Sequence, residues 1–158
     1  MKAKGFTLIE LVIVIVILGI LAVTVAPKYI NLKADAQTST LHGIKAAMEG
    51  ASALVYGKSL VKGNHKLSSS NDPKPTITLP DGTVLDIHYG YPRLSTSDWK
   101  KVLDIDLNIF KMSYPSNAVL VISPAELGLV LSDTQDCIVT YRQATAASKP
   151  IITVNPCV

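Results

Sequence analysis

From Phe6 to Ala26 the chain is apolar at every position except Thr7, Glu10 and Thr24. As a helix rising ~1.5 Å per residue, this run reaches across a hydrocarbon core of about 30 Å. Its many valines and isoleucines are tolerated in lipid, where no water competes for the backbone. Gly19 lies inside the run and Pro27 follows it. Proline removes one helical hydrogen bond and crowds the preceding turn, so this stretch marks a bend where the helix leaves the bilayer. Residues 29–56 read as the same helix continuing in water. Leu41, Ile44, Met48, Ala51 and Val55 recur at helical spacing and form one apolar face, which predicts a sheet beneath it. Gly43, Gly50 and Gly57 recur with Ala47 and Ala53 among them. Glycine costs a helix about 1 kcal/mol against alanine. The small stripe therefore serves either close approach of a second helix or contact with loops of the same domain. Gly57 also stands where a helix C-cap would.

Beyond the helix the pattern changes. Residues 58–75 hold Gly63, Ser68, Ser69, Ser70, Asn71, Asp72, Pro73 and Pro75, a loop composition. Ile77 and Leu79 alternate with polar residues, Pro80-Asp81-Gly82 makes a turn, and Leu85 and Ile87 alternate again, so 76–87 is a hairpin. Ser95–Ser97 can cap a short helix, with Asp98 near its start and Trp99, Val102 and Leu103 facing the core. Residues 118–122, 127–131, 137–142 and 151–154 read as short strands. One long helix laid on an antiparallel sheet of four or five strands buries both apolar faces, an α+β architecture.

Composition narrows the chemistry. The 158 residues suffice for one domain plus an anchor. Hydrophobic content is 48%, much of it in the first helix, and aromatic content is 6%, so the globular core is aliphatic. The formal net charge of +3 falls to +1 without Lys2 and Lys4, which gives no nucleic-acid footprint. His42, His65 and His88 show no ligand spacing, and no Gly-x-Ser-x-Gly or phosphate-cradling loop occurs. We therefore expect no enzyme, cofactor or metal site. Asp104, Asp106 and Asn108 alternate like a calcium loop, but Ile109 stands where glycine is needed and Pro115 where the bidentate glutamate belongs. We read them as structural.

The head of the apolar run carries the sharpest signal. Lys2 and Lys4 precede it, Gly5 and Phe6 open it, and Thr7-Leu8-Ile9-Glu10-Leu11 follows. A secretory signal has a shorter apolar core and a small-residue cleavage site after it. Here the small residue comes before the core. A carboxylate at the head of a membrane helix is costly, by roughly 2.5–3.5 kcal/mol at the bilayer centre and less near its edge, and so marks function. The two lysines put the N-terminus on the cytoplasmic side and the rest outside.

This arrangement resembles the type IV prepilin family. The likeness is strong to about residue 56 and weaker beyond. It implies a pilin fold, cleavage after Gly5 by a prepilin peptidase, N-methylation of Phe6 and pairing of Glu10 with the Phe6 amine of a neighbouring subunit. It implies that the helix loosens between Gly19 and Pro27 when packed in a filament. It also implies a homopolymer built by inner-membrane pilus assembly machinery and used for adhesion to host or abiotic surfaces, motility and biofilm formation. The precursor would sit in inner-membrane lipid before moving to the cell surface. Gly90-Tyr91-Pro92, Cys137-Ile138-Val139-Thr140-Tyr141 and Asn155-Pro156-Cys157 are similar to the mannose-sensitive haemagglutinin branch of type IVa pilins. The expected organisation is a leader (1–5), an apolar assembly half-helix (6–27), an amphipathic half-helix (28–57) and a β-rich head (58–158).

Cys137 and Cys157 would lie outside the membrane, where disulfides persist. A bond between them would restrain the unfolded chain by about 3 kcal/mol. A metal pair is the rival, though two cysteines without matching histidines make a poor zinc site. Two other functions fit the same helix: a minor pilin or pseudopilin of a type II secretion or DNA-uptake machine, and an unprocessed, membrane-tethered binding domain.

Overall fold

The computed structural model describes residues 5–115 and 119–158. Its dominant element is α1, Leu8–Lys62, one helix of 55 residues running through Gly19 and Pro27. Thr7 caps its start. Gly63 ends it in the left-handed conformation, φ 74°, and its N–H reaches the carbonyls of Leu60 and Ser59. The helix thus continues past the boundary expected at residue 57, and the expected loop loses its first turn. The cause is packing against the first strand. Lys58 and Lys62 donate from Nζ to the carbonyls of Thr78 and Thr76, at 3.0 and 2.8 Å, while Val55 and Ser59 are buried.

Two antiparallel sheets follow. The first comprises β1 (Thr76–Thr78), β2 (Val84–His88) and β3 (Tyr91–Pro92), in that order. The expected hairpin is its first pair, with Ile77 opposite Leu85. Helix α2, Thr96–Val102, comes next, with the Ser95 hydroxyl accepting from the Asp98 N–H at 3.4 Å as its cap. The second sheet comprises β4 (Phe110–Ser113), β5 (Val119–Pro124), β6 (Ile138–Arg142) and β7 (Ile151–Asn155), also in chain order. Three of its strands, β5, β6 and β7, correspond to the expected runs at 118–122, 137–142 and 151–154; β3 and β4 are additional, and the strands divide between two sheets where one was expected. The expected start of β5 at Ala118 lies outside the described residues.

One expected strand is absent. Residues 127–131 form no ladder: a 3-10 turn, Ala125–Leu127, leads into Gly128 at φ 69° and ψ −150°, then irregular chain. Strand β5 already has β4 and β6 on its two sides, and the segment meets the outer strand β4 through a side chain, the Ser113 hydroxyl donating to the Val130 carbonyl. The apolar run that suggested a strand mostly faces outward. Val130 is buried, whereas Leu129 and Leu131 are 72% and 75% exposed.

The main core lies between α1 and the second sheet. Leu41, Ile44 and Met48 of the predicted apolar face meet Trp99, Leu120, Ile122 and Tyr141. Val55 packs separately on Ile77, Leu85 and Ile87 of the first sheet. Fully burying each such side chain is worth about 1.5–3 kcal/mol. The lower half of α1 is thus held against both sheets, and its upper half projects from them.

Candidate assembly site

The start of α1 is a capping box. Thr7 takes extended backbone, φ −85° and ψ 151°, and its hydroxyl accepts from the Glu10 N–H at 3.3 Å. The Glu10 carboxylate reaches back, its Oε2 accepting from the Thr7 N–H and the Thr7 hydroxyl at 2.8 Å each. Thr-x-x-Glu satisfies two orphan donors of the first turn, and a carboxylate here also complements the positive end of the helix dipole. Glu10 is therefore held beside the segment that begins at Phe6. Its second oxygen, Oε1, makes no hydrogen bond among the described residues. That leaves one acceptor of the carboxylate open.

Below this cap the helix is bare. Leu8–Ala26 is long and apolar enough to cross a membrane, and no side chain in it is covered by the rest of the chain. Thr24 satisfies its hydroxyl locally by donating to the Leu21 carbonyl at 2.9 Å. Gly43, Gly50 and Gly57 continue an uncovered face downward: a Cβ added at any of them meets nothing within 4 Å. This excludes the loop-contact reading of the small stripe, and Gly63, not Gly57, is the C-cap.

Cys137 and Cys157 are disulfide-bonded. The bridge is tied to α1, because the Cys157 N–H donates to the Thr38 hydroxyl at 2.9 Å, and the Cys137 N–H donates to the Pro156 carbonyl at 3.0 Å. Nothing in the spacing of the cysteines pointed to Thr38. A second missed tie is Glu126, which accepts from Lys33 Nζ at 3.3 Å and from the Gln37 side-chain amide. The structure thus brings Phe6, Thr7 and Glu10 together at one end and the cysteines together on the head. Gly19 and Pro27 sit inside continuous helix.

The remaining chemistry-bearing residues do structural work. Asp106 turns its own loop, its carboxylate accepting from the Asn108 N–H at 2.8 Å. Among the described residues no three metal-ligating side chains converge. His88 Nδ1 accepts the Ser69 N–H at 2.9 Å, and partial burial lowers its pKa.

A bare apolar helix capped by a carboxylate, carrying a disulfide-pinned β-rich head, defines a subunit whose helix must be covered by lipid or by other helices. A family profile described as the prokaryotic N-terminal methylation motif matches residues 1–26. A fimbrial protein of Moraxella nonliquefaciens is 31% identical over 110 residues, covering 60% of this chain and 70% of that one. The chain belongs to the type IV pilin family. It is also similar to the type IV narrow pilus major component PilA5 of Thermus thermophilus, 46% identical over 54 residues, 34% of this chain and 47% of the other. A fimbrial protein of Pseudomonas aeruginosa is 43% identical over 94 residues, 54% of this chain and 55% of the other. The chain spans about half the length of these last two relatives. No solved structure matches.

Proposed function

We propose that the chain is a structural subunit of a type IV pilus. A prepilin peptidase cleaves it after Gly5, Phe6 becomes the methylated N-terminus, and the processed chain polymerises through α1 into a surface filament. The observation that carries this reading is the uncovered apolar helix with Glu10 held at its head. In water every side chain from Leu8 to Ala26 is exposed. In a bundle of such helices all of them are buried, at roughly 25 cal/mol per Å² of apolar surface.

Glu10 sets the register of that bundle. Among packed helices a lone carboxylate is heavily penalised, and opposite charges attract far more strongly than in water. The positive amine of a neighbour's Phe6 satisfies the carboxylate oxygen that the capping box leaves open. Contacts of this head-to-tail kind generate an open helical filament. Loosening between Gly19 and Pro27 lets the bare half-helix fit among its neighbours. The precursor is anchored in the inner membrane with Lys2 and Lys4 on the cytoplasmic side. Its partners are copies of itself and the assembly machinery, and the filament serves adhesion and motility rather than catalysis. The Gly90-Tyr91-Pro92 segment and the cysteine-bounded end support placing it in the mannose-sensitive haemagglutinin branch.

The test is Glu10→Ala in the full-length chain. The expected result is a chain still cut after Gly5 but at least tenfold depleted from sheared filaments. A wild-type yield of filaments from this variant overturns the pairing.

A further inference from the structure

Three separate segments of the head close on one open cleft of about 540 Å³. The end of α1 and the loop after it bring Tyr56, His65 and Lys66. The turn after β2 brings Tyr89, and β3 brings Tyr91. The loop between β6 and β7 brings Thr145, Ser148 and Lys149. These walls are held in place. Tyr56 stacks on Tyr91 with ring centroids 4.6 Å apart, and the His65 ring stands edge-on to Tyr56 at 6.2 Å. The Tyr89 N–H donates to the Leu67 carbonyl at 2.9 Å, which ties the turn to the loop that carries Lys66. In the third wall the Thr145 N–H donates to the Ser148 carbonyl at 3.0 Å, and the two hydroxyls lie 2.7 Å apart. The cleft is thus formed before a ligand enters, and its volume falls among small-molecule sites, roughly 300–1,000 Å³. Tyr89 also sits at φ 47°, a conformation that costs a bulky residue energy and that collects at ligand sites.

Two lysines line the cleft and, among the described residues, no carboxylate does. Both lysines are exposed, and none of the ion pairs among the described residues involves Lys66 or Lys149. We propose that this cleft binds an acidic saccharide, a sugar ring that bears a carboxylate. The lysines supply the charge and so select an anion. The remaining lining selects among anions. Tyrosines offer apolar ring surface with a polar tip, and Thr145 and Ser148 add hydroxyls. A sugar ring has the matching character, with C–H groups on its faces and hydroxyls around its rim. A fatty acid carries the charge but leaves the lining hydroxyls desolvated and unmatched. A nucleic-acid strand needs a basic groove several nucleotides long, and this cleft carries only two cations from lysine. The site uses no residue of the bare half-helix, so it goes beyond the filament reading and needs no filament.

The experiment uses the full-length chain in micelles of a non-ionic detergent and follows digalacturonate by saturation-transfer NMR. Its neutral methyl ester and inorganic phosphate are the comparison ligands. Saturation is expected to pass from the protein's aromatic protons to the sugar's ring protons, with affinity at least fivefold above that of the ester. Lys66→Gln and Lys149→Gln are each expected to weaken binding at least threefold, and the pair to bring it to the ester's level. Lys111→Gln, on strand β4 at the far edge of the second sheet, is expected to change nothing. The near-ultraviolet dichroism of the tyrosine stack checks that each variant keeps the cleft. No transfer, equal binding of the ester, or an equal loss from Lys111→Gln overturns the proposal. So does displacement of the sugar by an equal concentration of phosphate, which would mean that the cleft reads charge alone. A chain that binds the sugar yet forms no filaments overturns the polymer and leaves this site standing; filaments of a chain that ignores the sugar do the reverse.

Discussion

The hydroxyl of Thr38, on the helix, accepts the backbone N–H of Cys157, 119 residues away, at 2.9 Å. It joins the second residue from the chain's end to α1. Replacing Thr38 by valine keeps the shape and removes the acceptor, leaving a half-buried N–H unmatched. We expect a loss of about 1 kcal/mol and amide exchange at Cys157 faster by about fivefold. Hydrogen exchange on the full chain checks this, with Thr38→Ser expected to behave as wild type.

The bridge that Thr38 holds closes a loop with a sequence separation of 20 residues. Loop-closure entropy puts its contribution at about 3 kcal/mol. Replacing Cys137 and Cys157 together by serine is expected to lower the thermal unfolding midpoint of the head by several degrees. An unchanged midpoint contradicts a stabilising bridge.

Tyr141 lies buried with its ring edge-to-face on Trp99, centroids 4.6 Å apart, and its hydroxyl donates to the Pro92 carbonyl at 2.7 Å. Burial, reinforced by Tyr91, pushes its phenol well above the ordinary value of 10.0. A raised folded-state pKa contributes stability that is complete below about pH 10 and is lost as pH climbs past it. Tyr141→Phe is expected to cost about 1–3 kcal/mol at neutral pH, because the Pro92 carbonyl loses its donor. It should also flatten the alkaline loss of stability. The flattening is partial, since burial shifts Tyr91 in the same direction. Denaturation curves at pH 8 and pH 11 give both quantities.

Gly90 sits at φ 84°, and a Cβ there would lie 2.8 Å from the Tyr56 ring, which stacks on Tyr91 at a centroid distance of 4.6 Å. Both backbone strain and the clash oppose a side chain. Gly90→Ala is expected to cost about 1–3 kcal/mol. A near-ultraviolet dichroism change from the tyrosine stack should accompany it.

Sequence legibility followed the length of each pattern. The helix announced itself through an apolar run too long for a soluble element and then a face at helical spacing, and Leu41, Ile44, Met48 and Val55 are all buried. The hairpin was marked by its turn, and the cysteine pair by its isolation near the chain's end. Strand β3, with two residues, and β4, with four, are too short to show a period; their partners across the sheet define them. Leu129 and Leu131 misled because a short apolar run does not say whether its side chains face the core or water. The end of α1 escaped because Gly57 looked like a cap, while the packing that carries the helix to Gly63 comes from strand β1, across the intervening loop. Thr38 and Glu126 are ordinary surface residue types whose partners only the fold brings near.

The central claim is that this chain is cut after Gly5 and leaves the membrane as a polymer. The direct measurement is the intact mass of the chain in sheared surface material and in the membrane pellet. The account predicts released chain that begins at methylated Phe6 and is two hydrogens lighter than its reduced form. Chain that retains residues 1–5 in both fractions contradicts it.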